Sequence, residues 1–441
     1  MSEPAPDSSA SRGWRLPALH WQVAIGLVAA ALAGSLIGPQ PDFLAGCAFV
    51  GKLFLNALKM IVVPLIVAAI ISGLSSVADA GGLGRMGLRT LGYYMGTGVL
   101  AIVVGLLYIN LLEPGIVDGK PAGPSIGLSQ DTQTVVGKIE DKGAGEFLKV
   151  FEMMFPPNIV AAAAEGQMLG LICFSLLFGV FIMRLPEAAA ATQRQFWSGL
   201  YEVMTGITRL IMMFAPIGVF GLVAPIIAQT GWAAAGPLAT FFLAVILALA
   251  THMLVVLPIV LRVVARVSPL AHLRAMWPAI TTAFSTSSSA ATLPVTIQCM
   301  EERARVPKKV TSFVLPIGTT VNTDGSALYE GAVVMFIAQC YGVELSLGAQ
   351  FLILSTALLT AIGVAGIPSA SLVAIAVILG AVGLPLEGIG LVLAVDRVLD
   401  MCRTSVNVFG DSCCAVTVAR LEGEDGVLGE PALGTGGNHR S

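Results

Sequence analysis

Residues Asp396 to Asp411 read DRVLDMCRTSVNVFGD. They lie inside an otherwise apolar segment from about Gly388 to Val418, long enough to cross a bilayer as a helix. Asp396, Asp400, Arg403, Thr404, Asn407 and Asp411 follow at spacings of four, three, one, three and four. On a helix those positions share one face. A charge at bilayer mid-depth costs about 2.5–3.5 kcal/mol on insertion scales, so such residues face a protein interior or a watery cavity and mark a pathway. The stripe reads as the floor of a binding site for a ligand that is both zwitterionic and acidic.

A plainer alternative is a structural network in which Asp400 pairs with Arg403 one turn on. That pair leaves Asn407 and Asp411 unexplained, because they extend the stripe with no cation beside them. A carboxylate and an amide without a cationic partner suit a hard ion such as Na⁺ or Ca²⁺, which prefers oxygen ligands.

The wider composition agrees with a membrane setting. Of 441 residues, 56% are hydrophobic and 12% charged, against about 25% charged in an ordinary soluble domain. Repeated apolar runs of spanning length indicate an all-α polytopic membrane protein. The net charge of −3 points to no partner, and no basic patch for nucleic acid is present. The cysteines (Cys47, Cys173, Cys299, Cys340, Cys402, Cys413 and Cys414) mostly sit in apolar runs without a CxxC or Cys/His spacing, so they read as packing residues. The four histidines form no cluster, and His252 reads as a packed helix residue. The polar, Ser/Pro-rich start up to about Pro17 lacks the apolar core of a secretory signal. The Gly-rich end after about Glu422 reads as disordered.

Apolar segments run over about Trp21–Ile37, Ala45–Leu74 (with Lys59 inside) and Leu91–Leu112. A polar stretch, 113–148, reads as an external loop. Further segments end near Met183, then cover about Ile207–Ala228 and Pro237–Val264. The pattern then changes. Residues 279–299 are half apolar and half hydroxyl-bearing around Ser285–Ser289, as expected of two short helices meeting at a Ser-rich tip. The segment from about Val310 to Cys340 is broken by GTTVNTDGS (Gly318–Ser326), and 349–382 is interrupted by GVAGIPSAS (363–371). Irregular backbone at membrane depth is tolerated only where it is buried in protein or lines a cavity. There, half-helix N-termini face anions and unwound carbonyls bind cations. Simple Gly/Pro kinks explain each break singly, but three breaks beside one charged helix point to a transporter site.

Lys and Arg cluster at alternate connections: Arg12 and Arg15, Arg85 and Arg89, Arg184 and Arg194, Arg262 to Arg274, Arg303 to Lys309, and Arg420. The connections near 38–44, 229–236 and 341–348 have none. By the positive-inside rule, one consistent solution is eight transmembrane helices plus two re-entrant helical hairpins. Both termini are then cytoplasmic; the Ser-rich hairpin enters from inside and the second from outside.

Five motifs together resemble the glutamate transporter homologues, the dicarboxylate/amino-acid:cation symporters, over about Leu19–Leu421. They are LKMIVVPLI in the second span, STSSSAATLPVT at the first hairpin, NTDGSALYEG in the seventh span, GIPSASL at the second hairpin and DMCRTSVNVFGD in the eighth. The resemblance implies a homotrimer in a cell (inner) membrane, in contact with lipid, with an elevator-like transport domain and the second hairpin as outer gate. It divides the chain into a cytoplasmic tail (1–17), scaffold and trimerisation spans 1, 2, 4 and 5 within 18–229, and a transport domain over 230–421. Span 3, about 83–112, joins the transport domain. That domain then holds span 6, hairpin 1 (about 273–300), span 7 (about 306–340), hairpin 2 (about 347–382) and span 8 (about 386–421), before a tail at 422–441.

Residue by residue, Arg403 matches the arginine that holds a substrate side-chain carboxylate, a task suited to its bidentate fork. Asp400 matches the acceptor of the substrate ammonium. Asn407 and Ser289 match ligands of the α-carboxylate, helped by the hairpin tips at Ser287, Ser288, Ile367 and Ser371. Thr404 and Ser326 match further substrate contacts. Relatives that carry C4-dicarboxylates lack the acid at the Asp400 position, and neutral amino-acid relatives lack the arginine, so having both favours aspartate or glutamate. For Na⁺, Asp411, Asn407, Asn322 and Gly318 match one site. Tyr94, Thr97, Asn322 and Asp324 match a second. Thr320 with Ala361, Ile362 and Val364 of the second hairpin matches a third. Glu330 matches the proton-carrying glutamate of eukaryotic excitatory transporters, and burial favours the neutral form of a carboxyl; the alternative is a hydrogen-bonded acid without a transport role.

The chain departs from the family pattern at several positions. Thr323 replaces a methionine, Gly98 stands where a hydroxyl often helps a sodium ion, and Ala361 and Val364 replace hydroxyl residues. Neither Ser287 nor Met401 is the extra arginine of potassium-coupled relatives. The other readings are a C4-dicarboxylate or proton-driven carrier of the same family, a channel, and a membrane enzyme. No GxSxG, HExxH or Walker A motif supports an enzyme, so no cofactor is expected beyond the co-transported ions.

Overall fold

The structure, a computed structural model, describes residues 19–79, 84–126, 152, 154–165, 167–231, 235–361, 370–424 and 426–429. The expected N-terminal tail and most of the expected external loop lie outside these residues. Helices α1 (Leu19–Ile37), α2 (Pro41–Asp79) and α3 (Arg85–Leu112) contain the first three apolar segments. The described start of the polar stretch holds a small antiparallel pair, β1 (Ile116–Val117) with β2 (Lys120–Pro121), in register Ile116 to Pro121. Two shorter helices follow, α4 (Ile159–Glu165) and α5 (Met168–Ile182).

The fifth segment starts earlier than its apolar run suggests. An amphipathic helix, α6 (Glu187–Met213), precedes α7 (Ala215–Thr230), and the two are bent by 51°. Glu187, Arg194, Glu202 and Arg209 on α6 hide it from a search for apolar runs. Pro216 in the first turn of α7 favours a helix start there. Next comes α8 (Ala235–Ala265), which widens into π-helical turns at His252–Val256 and Leu261–Ala265.

The first hairpin is α9 (Pro269–Thr286) and α10 (Ser289–Gln298). Ser268 caps α9 by accepting from the Ala271 N–H, and Pro269 occupies the first helical position. His272 is therefore buried inside α9, where its Nε2 lies 2.9 Å from Ser412 Oγ. The broken span is α11 (Lys308–Val321) and α12 (Asp324–Cys340), and α13 (Leu347–Ala361) and α14 (Ala370–Val382) flank residues 362–369, which are not described. The striped helix is continuous as α15 (Ile389–Leu421).

Helix α1 packs on α7, and α2 on α5, α6 and α7. A Cβ on Gly26 would stand 2.6 Å from the Pro216 carbonyl oxygen, so the small residue sets the closeness of α1 and α7. Helix α3 packs instead on α12 and α8, and α15 contacts α3, α8, α9, α11 and α12. Every residue of α15 from Arg403 to Arg420 is buried. A helix enclosed on all sides keeps its polar stripe facing protein. Three helices, α2, α3 and α8, are individually long and apolar enough to cross a bilayer, and the bent pair of α6 and α7 makes up to four among the described residues. The other apolar stretches, within α1, α5, α13 and α14, are shorter, at 10–17 residues.

The segment after α15, expected to be a tail, is packed at its start. Glu422 pairs with Arg85 at 3.1 Å and Arg89 at 2.6 Å, Glu424 with Lys309, and the Leu428 N–H donates to the Ala304 carbonyl at 2.9 Å. Arg85 and Arg89 beside Glu422 hold its carboxyl below the usual glutamate range. Residues 430–441 lie outside the described residues.

Candidate functional site

The helices on either side of the first hairpin turn and of the Asn322–Thr323 break pack on α15. At the hairpin turn Ser287 takes a left-handed conformation (φ 50°), and Ser288 accepts the Ala291 N–H at 3.2 Å. The short helix α10 thus starts at Ser289 beside a buried Ser287 hydroxyl that has no protein partner. Between α11 and α12 the backbone opens at Asn322 and Thr323. The N-terminus of α12 then lies on α15: a Cβ on Gly325 would stand 2.8 Å from the Arg403 carbonyl oxygen and 3.1 Å from Asn407 Oδ1. Only glycine permits that approach.

Arg403 is fully buried and bridges two acids. Nη1 donates to Asp396 Oδ1 at 3.0 Å and Nη2 to Asp400 Oδ1 at 2.8 Å. The Tyr329 ring lies beneath the guanidinium, 3.9 Å from its central carbon, a cation–π contact that holds its plane. Arg403 Nε is buried without a partner. On the other side of Asp400, Arg397 Nη1 donates to Oδ2 at 3.3 Å. Thr404 donates to the Asp400 carbonyl at 2.8 Å. One turn further, Asn407 accepts the Gly325 N–H at 2.8 Å and donates to Ser326 Oγ at 3.3 Å.

A second cluster lies deeper. Asn322 Nδ2 donates to Asp411 Oδ1 at 2.9 Å, while Asn322 Oδ1 is buried and unpartnered. A Cβ on Gly318 would stand 2.5 Å from Asp411 Oδ1 and 2.7 Å from Tyr94 Oη. The Tyr94 hydroxyl donates to the Val314 carbonyl at 3.1 Å. Asp324, the first residue of α12, is buried, with Oδ2 3.1 Å from His252 Nε2. The oxygens of Asp411, Asn322 and Asp324 form a carboxylate and amide group suited to a hard cation.

The family model for the sodium:dicarboxylate symporter family matches residues 19–421. The chain belongs to this family. It is 34% identical over 409 residues to the proton/glutamate-aspartate symporter of Escherichia coli (strain K12), covering 92% of this chain and 93% of that protein. It is 33% identical over 407 residues to the proton/sodium-glutamate symport protein of Geobacillus stearothermophilus, with 92% and 95% covered. It is 34% identical over 442 residues to excitatory amino acid transporter 1 of Ambystoma tigrinum, with 88% and 79% covered. The named relatives are transporters, and membership in this symporter family makes the chain a membrane transport protein.

Within this symporter, some sequence-derived candidates meet and some do not. Arg403, Asp400 and Thr404 are joined by hydrogen bonds, Asn407 pairs with Ser326 one turn on, and Gly318, Asn322, Asp411 and Tyr94 come together as a second group. Thr97 donates to Tyr93 of its own helix, and exposed Thr320 donates to Ile317 of its own helix. Thr323 Oγ1 donates to the Ala361 carbonyl at 3.3 Å, so that carbonyl already has one donor. Glu330 is buried, with Thr360 Oγ1 3.5 Å from its carboxylate and Ser371 beside it. Ile362, Val364 and Ile367 lie outside the described residues.

Two contacts add to the residue-by-residue reading. His252, read as a packed helix residue, is buried at the start of a π-helical turn and also reaches Asp324. Gly98, read as a departure from the family's hydroxyl, is closely packed: a Cβ there would stand 2.8 Å from Leu358 Cδ1 and 3.6 Å from Asp324 Oδ1. Tyr329 and Arg397 also went unread. Tyr329 lies within the NTDGSALYEG motif, and Arg397 lies three residues before Asp400. That i,i+3 spacing is the signal by which Arg397 was findable.

Proposed function

We propose that this symporter imports L-glutamate and L-aspartate, driven by Na⁺, with H⁺ carried on Glu330. One observation carries the substrate reading: buried Arg403 is shared between two acids, Asp396 and Asp400, on separate nitrogens. The substrate's side-chain carboxylate displaces Asp400 from Nη2. Asp396 and the Tyr329 ring keep the guanidinium in place. Asp400, released from Arg403, accepts the substrate ammonium. The α-carboxylate faces Asn407 and the start of α10 at Ser289, where unsatisfied N–H groups favour an anion. Each step exchanges one charge-assisted bond for another, so the site is never left with a bare buried charge.

Asp411, Asn322 and the α11–α12 break hold the first Na⁺ in this reading, and Tyr94, Thr97 and Asp324 the second. The third falls to Thr320 and the second hairpin. The fold is the eight-span, two-hairpin arrangement in a homotrimer of the cell inner membrane, with both termini cytoplasmic. Packing of α1, α2, α5, α6 and α7 on one another supports a scaffold that is separate from a sliding transport domain. The association of α3 with α8 and α12 supports its place in the moving part.

A second reading, transport driven by protons alone, is favoured by the second cation group. Its Asp324 is engaged by His252, and Gly98 adds no hydroxyl there. Labelled aspartate and glutamate uptake into proteoliposomes, with and without an inward Na⁺ gradient at fixed pH and clamped potential, separates the two. Accumulation only with Na⁺ supports sodium coupling. Accumulation regardless of Na⁺ supports protons alone, and no accumulation of either substrate overturns the proposal.

A further inference from the structure

We propose that a groove between α8, the first hairpin and the back of α15 binds an anionic phospholipid, with an acyl chain in the groove and the headgroup on Arg262, Arg266 and Arg274. The groove has a volume of about 490 Å³. Leu254 of α8 and Trp277 and Phe284 of α9 flank it and are 57%, 59% and 42% exposed. Cys402, Ser405 and Val406 of α15 line it as well. Its hydroxyl groups are already engaged. Thr281 donates to the Trp277 carbonyl at 3.0 Å, Ser285 to the Thr281 carbonyl at 2.9 Å and Ser405 to the Ile280 carbonyl at 3.3 Å. A wall of apolar side chains and satisfied hydroxyls suits a hydrocarbon chain, because a polar ligand would lose its water there without gaining a partner.

Length and charge identify the occupant. The groove follows α9 from Leu273 to Ser285, about 18 Å at the helical rise, and one leaflet of hydrocarbon is about 15 Å deep. One extended acyl chain matches that span. Helix α8 ends at Ala265 and α9 starts at Pro269, so Arg262, Arg266 and Arg274 gather around this short connection, at the end of the groove marked by Leu273. All three are exposed and make no ion pair among the described residues. Basic pockets between transmembrane helices on the cytoplasmic side bind anionic lipid headgroups, and the proposed topology puts this connection on that side. Cys402 and Ser405 flank Arg403 and Thr404 in sequence. A seated chain therefore lies directly behind the turn of α15 that carries the buried guanidinium, where Ser405 ties α15 to the hairpin.

The test uses brominated acyl chains, which quench a tryptophan that they touch. Full-length protein is reconstituted into phosphatidylcholine vesicles with a minor fraction of brominated phosphatidylglycerol, or of brominated phosphatidylcholine with the same chains. The Trp277 signal is the difference between wild type and Trp277→Phe. Phosphatidylglycerol is expected to quench it at least about fivefold more effectively than phosphatidylcholine, the contribution of a single arginine near a membrane surface. The preference is lost in the triple variant Arg262→Gln, Arg266→Gln, Arg274→Gln. Ala250→Phe fills the groove from α8 and lowers quenching by phosphatidylglycerol to the phosphatidylcholine level; if it does not fold, Ala250→Leu reads the same loss. Equal quenching by both lipids in wild type marks bulk lipid only and overturns the inference. A preference that survives the arginine substitutions, or the substitution at Ala250, overturns it as well. So does a Trp277 signal that neither lipid quenches, which means that protein, such as a second copy of this chain, covers the groove. Uptake is no part of the readout, so this site and the transport reading fail separately.

Discussion

Replacing Arg403 by alanine separates substrate binding from ion binding. The guanidinium makes bonds of 3.0 Å to Asp396 and 2.8 Å to Asp400, with all three side chains close to fully buried. Removing one member of a buried ion pair costs about 3–5 kcal/mol of stability. Asp400 keeps Arg397, so Asp396 bears most of the loss and the lower end, about 3 kcal/mol, is expected. For the ligand, two charge-assisted bonds to its carboxylate disappear, at about 1.5–3 kcal/mol each. The sum, about 3–6 kcal/mol, weakens aspartate on the order of 10²- to 10⁴-fold. Isothermal titration of aspartate into purified protein in Na⁺ measures that loss. A Na⁺-induced rise in thermal midpoint shows that the variant is folded and that its deeper carboxylate and amide group is intact. A variant that keeps the Na⁺ shift and binds aspartate within about threefold of wild type (less than 1 kcal/mol) refutes the assignment of Arg403.

Asp411→Asn replaces a carboxylate ligand by an amide opposite Asn322 and is expected to raise the half-saturating Na⁺ concentration for uptake about tenfold; unaltered Na⁺ dependence removes Asp411 from the ion group. Glu330→Gln removes a buried carboxyl and, on the proposed reading, is expected to flatten the pH dependence of uptake; full retention of that dependence removes Glu330 as proton carrier. Glu422 follows the end of α15, with a carboxyl held below its ordinary value of 4.5 by Arg85 and Arg89. Its contribution is therefore present above that value and lost as pH falls through the lower folded-state value. Glu422→Gln is expected to lower stability by about 1 kcal/mol or less, because Arg85 is largely exposed. The gap between wild type and variant in thermal midpoint closes in acid; a gap that persists below about pH 3 shows that the pairing does not depend on the Glu422 charge.

Much of the architecture was legible because membrane solvation writes it into the chain. Unpaired backbone and buried charge are both costly in lipid, so the interruptions at Ser285–Ser289 and Gly318–Ser326 and the stripe of α15 stand out against apolar surroundings. Helix α6 was missed for the complementary reason: its charged face resembles a soluble helix. The start of the last tail was misread because the pairing of Glu422 with Arg85 and Arg89 joins residues more than three hundred positions apart.

The sequence alone determined which helix carries the site and which residues share its face, since helical periodicity is a local property. The family motifs added the expected role of each residue. Only the tertiary structure decided how charges are partitioned. Arg403 is divided between Asp396 and Asp400, Asp400 between Arg403 and Arg397, and Asp324 is met by His252 from another helix. Those pairings depend on side-chain direction and on which helices pack together. The physical reason is that a buried charge takes whichever partner the packing brings within hydrogen-bond reach, and distance through space is not written in spacing along the chain.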